Sequence, residues 1–230
     1  MRTMSKVFLT FCISMTAILA TAQTSLGLRI GTNWSNVRTS EALGNATPNF
    51  KNLSGFTIAA VLEIPVISQF SIQSEIGLTQ KGFVLNEGFD APLFGVDLPV
   101  GVTAETKFDY LEIPLLAKYQ FGENRLKAYV AVGPNVGYAL KGKVDTKTNI
   151  LVGIDLGSTD INLDGEDFNR FEIGATGALG ASYDAGFATL FADARYNHGF
   201  SEVYNLPLVD EKVKSKSFGL NIGLTVPLNK

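Results

Sequence analysis

His198 is the single imidazole in this 230-residue chain, and so the one side chain whose ordinary pKa suits general-base work near neutral pH. Any Ser-His-Asp arrangement would have to use it. No G-x-S-x-G nucleophile turn accompanies it, so a surface or interfacial histidine is the expected reading. A second candidate is Asp160-Ile161-Asn162-Leu163-Asp164-Gly165, which copies the opening of a calcium loop. Oxygens of Asp160, Asn162 and Asp164 would wrap a hard cation around the Gly165 turn. The twelfth position is Phe171, however, and Glu172 falls one residue late. A polar loop tip whose Asx side chains bond their own backbone is preferred. A third set, Glu112, Lys118, Glu172, Asp193 and Arg195, could form a proton relay or a binding constellation. The expectation is instead an internal salt-bridge plug. No catalytic, cofactor-binding or metal-ligating residue is assigned.

The elements that must position these groups are strands. Eight segments alternate apolar and polar or small residues with period two: 24–33, 54–64, 70–82, 107–121, 126–141, 170–183, 187–197 and 216–228. Each is long enough to cross a bilayer as a tilted strand of about 9–11 residues. Three connections are short, at 65–69, 122–125 and 184–186, and four are long, at 34–53, 83–106, 142–169 and 198–215. Short turns alternating with long loops, on an even strand count, describe an all-β, eight-stranded antiparallel up-and-down transmembrane β-barrel with periplasmic turns and long outer loops.

One face of these segments is aliphatic and aromatic. The other mixes small residues with Arg29, Lys81, Lys118, Lys127, Lys141, Arg170 and Arg195, and with Glu63, Glu75, Glu112, Glu172 and Asp193. Glycines gain nothing facing water but suit a narrow interior, and near-balanced charge suits ions that pair with one another. The charged face is therefore placed inward, with a filled lumen and no diffusion pore. Phe70, Tyr119, Phe121 and Tyr183 would form a periplasmic aromatic girdle, and Trp34, Phe56, Phe108, Tyr138 and Phe218 an outer one. The alternative orientation is a soluble periplasmic carrier of lipocalin type, with the apolar face lining a cavity. The other alternative is a barrel enzyme acting on lipid at the outer leaflet.

Residues 1–22 read as a cleaved signal peptide: Arg2 and Lys6, an apolar Val7–Leu19 stretch, then Ala20-Thr21-Ala22. The single barrel domain would span 23–230. Cys12, the one cysteine, falls in the leader, so disulfides and a lipoprotein anchor are not expected. A formal charge of -3 excludes a nucleic-acid footprint, and one His with one Cys cannot build a Zn site of about four ligands.

Several stretches resemble a known group: Leu28-Arg29-Ile30-Gly31-Thr32-Asn33, Gln73-Ser74-Glu75-Ile76-Gly77 with Lys81-Gly82, Tyr110-Leu111-Glu112-Ile113-Pro114-Leu115-Leu116-Ala117-Lys118, Gly133-Pro134-Asn135 and Arg195-Tyr196-Asn197. The chain resembles PorT-like outer-membrane β-barrel proteins. The resemblance implies an eight-stranded barrel in the cell outer membrane, contacting outer-membrane lipid. It also implies periplasmic chaperones and the barrel-assembly machinery as partners in biogenesis, with envelope or secretion-machinery proteins as further candidates. The end, Val226-Pro227-Leu228-Asn229-Lys230, departs from the usual assembly signal in lacking a terminal aromatic. Intact-mass analysis of protein recovered from envelopes is expected to find Gln23 as the first residue; a retained leader would contradict this reading.

Overall fold

The computed structural model describes residues 24–38, 50–93, 96–150, 152–161, 163, 169–201, 204–205 and 212–228. The leader, Asn162 and Asp164 lie outside the described residues. Ten strands follow in order: β1 (Ser25–Arg38), β2 (Phe50–Ile67), β3 (Phe70–Leu93), β4 (Val96–Phe121), β5 (Leu126–Ile150), β6 (Val152–Asp160), β7 (Phe171–Asp184), β8 (Thr189–Gly199), β9 (Tyr204–Asn205) and β10 (Lys212–Pro227). Eight of them close a ring in the order β1-β2-β3-β4-β5-β7-β8-β10, with β10 returning to β1. Every pairing is antiparallel, and the closing seam runs from Ser25↔Pro227 to Arg38↔Lys214. Strand β6 pairs with β5 above the ring, and β9 pairs with β10. A closed ring leaves no unpaired edge in hydrocarbon, which is what a bilayer demands of strands.

Alternation decides which face meets lipid. Leu28, Ile76, Ile173 and Ile222 are each more than half exposed, at 57%, 52%, 56% and 60%, whereas Arg29, Glu75, Lys118 and Arg195 are at 7%, 2%, 2% and 4%. The apolar face points outward and the charges point in. This overturns the soluble-carrier orientation, which requires the reverse. The periplasmic turns are tight. Gly122 and Gly186 take φ of 103° and 89° there, and the Gly186 amide donates to Asp184 Oδ1 at 2.7 Å.

Four expectations need correction. The outer connections are long, as expected, but two are hairpins rather than irregular loops. β3 and β4 stay paired from the ring up to Leu93↔Val96, and β5 continues into β6 through Ile150↔Val152. Between them β4 and β5 also stay paired, up to Gly101↔Asn149, so β3, β4, β5 and β6 continue the wall beyond the ring as one antiparallel sheet. Lys141, expected inward, is exposed. The β4–β5 register shifts between Asp109↔Lys141 and Tyr110↔Ala139, and this bulge at Leu140 reverses the phase of the strand above it. Phe108, assigned to the outer girdle, is 3% exposed. It shares the inward phase of Tyr110 and packs with Tyr110, Ala139 and Leu163 in a lumenal cap. Arg170, expected in the lumen, is half-exposed and donates to the Leu163 carbonyl and the Tyr138 hydroxyl. Preceding β7, it is free of the strand's alternation.

Neighbouring strands approach closely enough at two places for glycine to be required. A Cβ at Gly133 would stand 1.9 Å from the Leu115 carbonyl oxygen, and one at Gly27 1.9 Å from that of Leu224. Gly133→Val is therefore expected to cost at least about 1–3 kcal/mol through overpacking. The check is the temperature at which the unboiled, compact gel band is lost. An unchanged transition would show that the wall relaxes freely there.

Candidate functional site

The lumen holds three tiers of charge, each anchored by residues that β alternation turns inward. The central tier is built on Glu75 of β3. Its Oε2 accepts from Arg29 Nε and Arg195 Nη1, both at 2.9 Å, and its Oε1 accepts from Gln73 Nε2 at 2.6 Å. Arg195 also forms two bonds at 3.0 Å to the Asp193 carboxylate, one to each oxygen. Tyr129 and Asn221 donate to the same carboxylate at 2.9 Å each, and Arg29 reaches Asn221 Oδ1 at 2.6 Å. The Glu75 and Asp193 side chains are fully buried. Two guanidiniums and two carboxylates thus balance.

Toward the periplasm, Lys118 Nζ bonds Glu63 Oε2 at 2.8 Å and lies 4.5 Å from the Tyr129 ring centroid and 5.8 Å from that of Phe191. Ser71 and Gln120 complete Glu63 at 2.8 and 3.2 Å. Val61, Tyr129 and Phe191 pack in one lumenal cluster and Leu116, Ala131 and Ala178 in another. In the outer tier, Lys81 bridges Glu112 and Glu172, the latter at 3.1 Å. Asn135 donates to Glu112 at 3.1 Å, Ser215 donates to Glu172 Oε1, and the Lys81 ammonium faces the Tyr110 ring at 5.1 Å.

The five residues singled out from sequence do not form one site. Glu112 and Glu172 stand in the outer tier, Asp193 and Arg195 in the centre, and Lys118 on the periplasmic side. Glu75, Arg29, Lys81 and Glu63, recognised as inward but not as a set, are the partners that join them. Tyr129 and Phe191 were missed as lumenal, although their inward phase in β5 and β8 was available. His198 ends β8 half-exposed, with Nδ1 3.4 Å from the Tyr196 hydroxyl and the Phe200 ring at 5.4 Å. Asp160 is exposed, and no group of three or more potential metal ligands occurs among the described residues.

Space in the lumen is correspondingly small. One cavity of about 20 Å³ touches Asn135 and Glu112, and another of about 20 Å³ touches Glu172 and Lys81. Each has room for about one water molecule. Asn135 Oδ1 and Glu172 Oε2, one beside each cavity, accept no hydrogen bond from the protein. A wider vestibule of about 900 Å³ opens at the periplasmic mouth around Glu63, Arg125, Lys127 and Asp184. The Lys118 tier floors it.

Aromatic girdles flank the apolar band. Tyr119 and Phe121 meet edge to face at 4.9 Å on the periplasmic side. Tyr138 and Phe171 do so at 4.9 Å on the outer side, where Trp34 and Phe218 stack at 6.2 Å. Above the outer girdle, Lys107 bonds Asp145 Oδ2 at 2.9 Å and holds that carboxyl below its ordinary range.

Glu75→Ala leaves two buried guanidiniums facing each other. The expected loss is about 3–5 kcal/mol, since the charges that remain cannot reach water. Denaturant unfolding of the barrel in lipid vesicles measures it. A loss below ~1 kcal/mol, the range of an exposed pair, would show the tier to be hydrated.

Residues 21–205 match the family model described as outer membrane protein beta-barrel domain. No curated protein matches the sequence. Among solved structures, the chain is similar to Neisserial surface protein A, with 18% identity over 89% of this chain and 99% of that one, at a TM-score of 0.49. It is similar to Ail, the attachment invasion locus protein of Yersinia pestis, with 15% identity over 87% and 97%, at a TM-score of 0.42. OprG from Pseudomonas aeruginosa matches with 11% identity over 88% and 94%, at a TM-score of 0.43. A closed ring with an apolar belt, a plugged charged lumen and a family match over most of its length leads to one conclusion: the chain belongs to the outer membrane protein beta-barrel domain family and is an integral outer-membrane protein.

Proposed function

We propose that this barrel is a non-enzymatic anchor that presents its outer hairpins to other components of the envelope or the cell surface. The observation that carries this reading is the contrast between its two halves. The lumen is filled by paired charges, while β3, β4 and β5 run to 24, 26 and 25 residues. A bilayer needs only about 9–11 per strand. The excess builds paired strands above the outer girdle, where binding segments on a barrel scaffold belong. Within the family, we place the chain among PorT-like members on the Tyr110–Lys118 block, in which Tyr110, Glu112, Leu116 and Lys118 all face the lumen. The namesake's link to secretion is not carried over, since a shared barrel does not transfer a role.

The enzyme alternative rests on His198. Among the described residues its ring neighbours are Tyr196 and Phe200, which supply neither the serine nor the carboxylate of a Ser-His-Asp arrangement. The test joins Val84 to Glu105, which pair directly across the ribbon, through an Asn-Gly turn. The excised protein is expected to remain heat-modifiable in the outer membrane and yet to reproduce the envelope phenotype of the null strain. His198→Ala is expected to restore the wild type fully. Complementation by the excised protein would refute a role for the β3–β4 ribbon.

A further inference from the structure

The charges buried in the lumen do not balance. Among the described residues the buried ionic side chains are Arg29, Lys81, Lys118 and Arg195 against Glu63, Glu75, Glu112, Glu172 and Asp193, four cations for five carboxylates. The periplasmic and central tiers are each neutral. The excess lies in the outer tier, where Glu112 and Glu172 share the one ammonium of Lys81. A charge sealed from water without a partner is costly, and this one calls for a counter-ion.

A chamber suited to one lies between the outer and central tiers. It has a volume of about 20 Å³ and is walled by Asn33, Thr57, Thr79, Glu112, Asn135 and Thr176, all of them buried. Asn33 Oδ1 and Asn135 Oδ1 accept no hydrogen bond from the protein. Neither amide can turn round to hide its oxygen. Asn33 Nδ2 donates to the Gln80 carbonyl and Asn135 Nδ2 to Glu112 Oε1, each at 3.1 Å, and both of those partners accept only. Two buried carbonyl oxygens are thus left over beside a carboxylate. We propose that this chamber binds a single monovalent cation of about the size of sodium.

The other groups around the chamber are already engaged. Arg29 and Arg195 line it, but Arg29 is bound to Glu75 and Asn221, and Arg195 to Glu75 and Asp193. Asn221 Oδ1 accepts from Arg29 and Asn197 Oδ1 from Thr176, each at 2.6 Å. What remains is Asn33 Oδ1, Asn135 Oδ1, Glu112 and the threonine hydroxyls, an all-oxygen set of the kind hard cations take. A water molecule fits the volume and donates to both amide oxygens, yet it leaves the charge standing. A divalent ion replaces an excess of one sign by an excess of the other. The neighbouring cavity beside Glu172 is walled in part by Val37, Phe83 and Phe108, which offer no side-chain oxygen. Asn33 stands on β1, Glu112 on β4 and Asn135 on β5, so the bound ion ties strands that are not neighbours.

An ion sealed in the lumen enters as the ring closes. The mature chain is therefore refolded into phosphatidylcholine vesicles in sodium chloride or in N-methyl-D-glucamine chloride at equal ionic strength. The organic cation is too bulky for a space of one water molecule. Unfolding by urea, which adds no charge, is followed by the emission of Trp34, the one tryptophan. The midpoint in sodium is expected to lie about 1 M urea higher, and the shift to saturate with sodium concentration. Glu112→Gln leaves four cations against four carboxylates and is expected to unfold at one midpoint in both salts. Should that variant not fold, Asn135→Ala keeps the charges and removes one oxygen; about tenfold more sodium is then expected for half the shift. Lys127→Gln, at the periplasmic mouth, should respond as the unaltered protein does. Equal midpoints for the unaltered protein in the two salts overturn the proposal, whether the chamber then holds water alone or a carboxylate holds a proton. A sodium shift that survives Glu112→Gln or Asn135→Ala undiminished also overturns it, because the ion would then act elsewhere.

Discussion

Glu75 held between Arg29 and Arg195 is the interaction on which the rest of this barrel depends. Through Asp193, Asn221, Tyr129 and Thr57, the same network touches β1, β2, β3, β5, β8 and β10. A ring of strands has only backbone bonds to fix its circumference, and nothing in those bonds resists flattening. A central ionic hub acts as spokes do, setting the distance between walls that are not neighbours. Its members pay for their burial by satisfying one another almost completely, which is the condition under which charge in a low-dielectric interior stabilises rather than disrupts.

The tiers on either side divide the interior by chemistry. On the periplasmic side, Lys118 is covered by aromatic rings and sits among apolar side chains, so the vestibule ends on a closed floor. On the outer side, one ammonium stands between two carboxylates, with Ser215 and Asn135 each adding a bond. Above that, Phe108, Tyr110, Ala139 and Leu163 form an apolar cap. The lumen therefore changes from ionic to apolar just where the strands leave the bilayer, and the hairpins rise from a capped end.

Much of this is legible in the sequence because alternation has a strict period. Leu26, Leu28 and Ile30 against Gly27 and Arg29 already orient β1, and the same holds through most of β2, β3 and β10. Partnership is less legible. Whether Glu75 meets Arg195 or Lys118 depends on how far each strand is staggered around the ring, and no single strand carries that information. Lys141 shows a second limit. A bulge costs one residue of phase and leaves no mark in composition, so an inward lysine becomes an outward one. The ribbons of β3–β4 and β5–β6 show a third. Their Gly and Pro residues read as loop signals, yet an antiparallel pair tolerates them where it stands at an exposed edge.

The seam joining β1 to β10 has a consequence for how the molecule is made. Ser25 pairs with Pro227, so the first strand to emerge from synthesis has its partner in the last. Until then the chain is an open sheet with two long bare edges and an apolar face, the form most prone to pair with copies of itself. Ring closure is also the least local step the chain takes, and such steps are slow. The finished ring has no edge to offer within the bilayer; the unfinished one has two. Crossing the periplasm is therefore the hazardous interval in this protein's life.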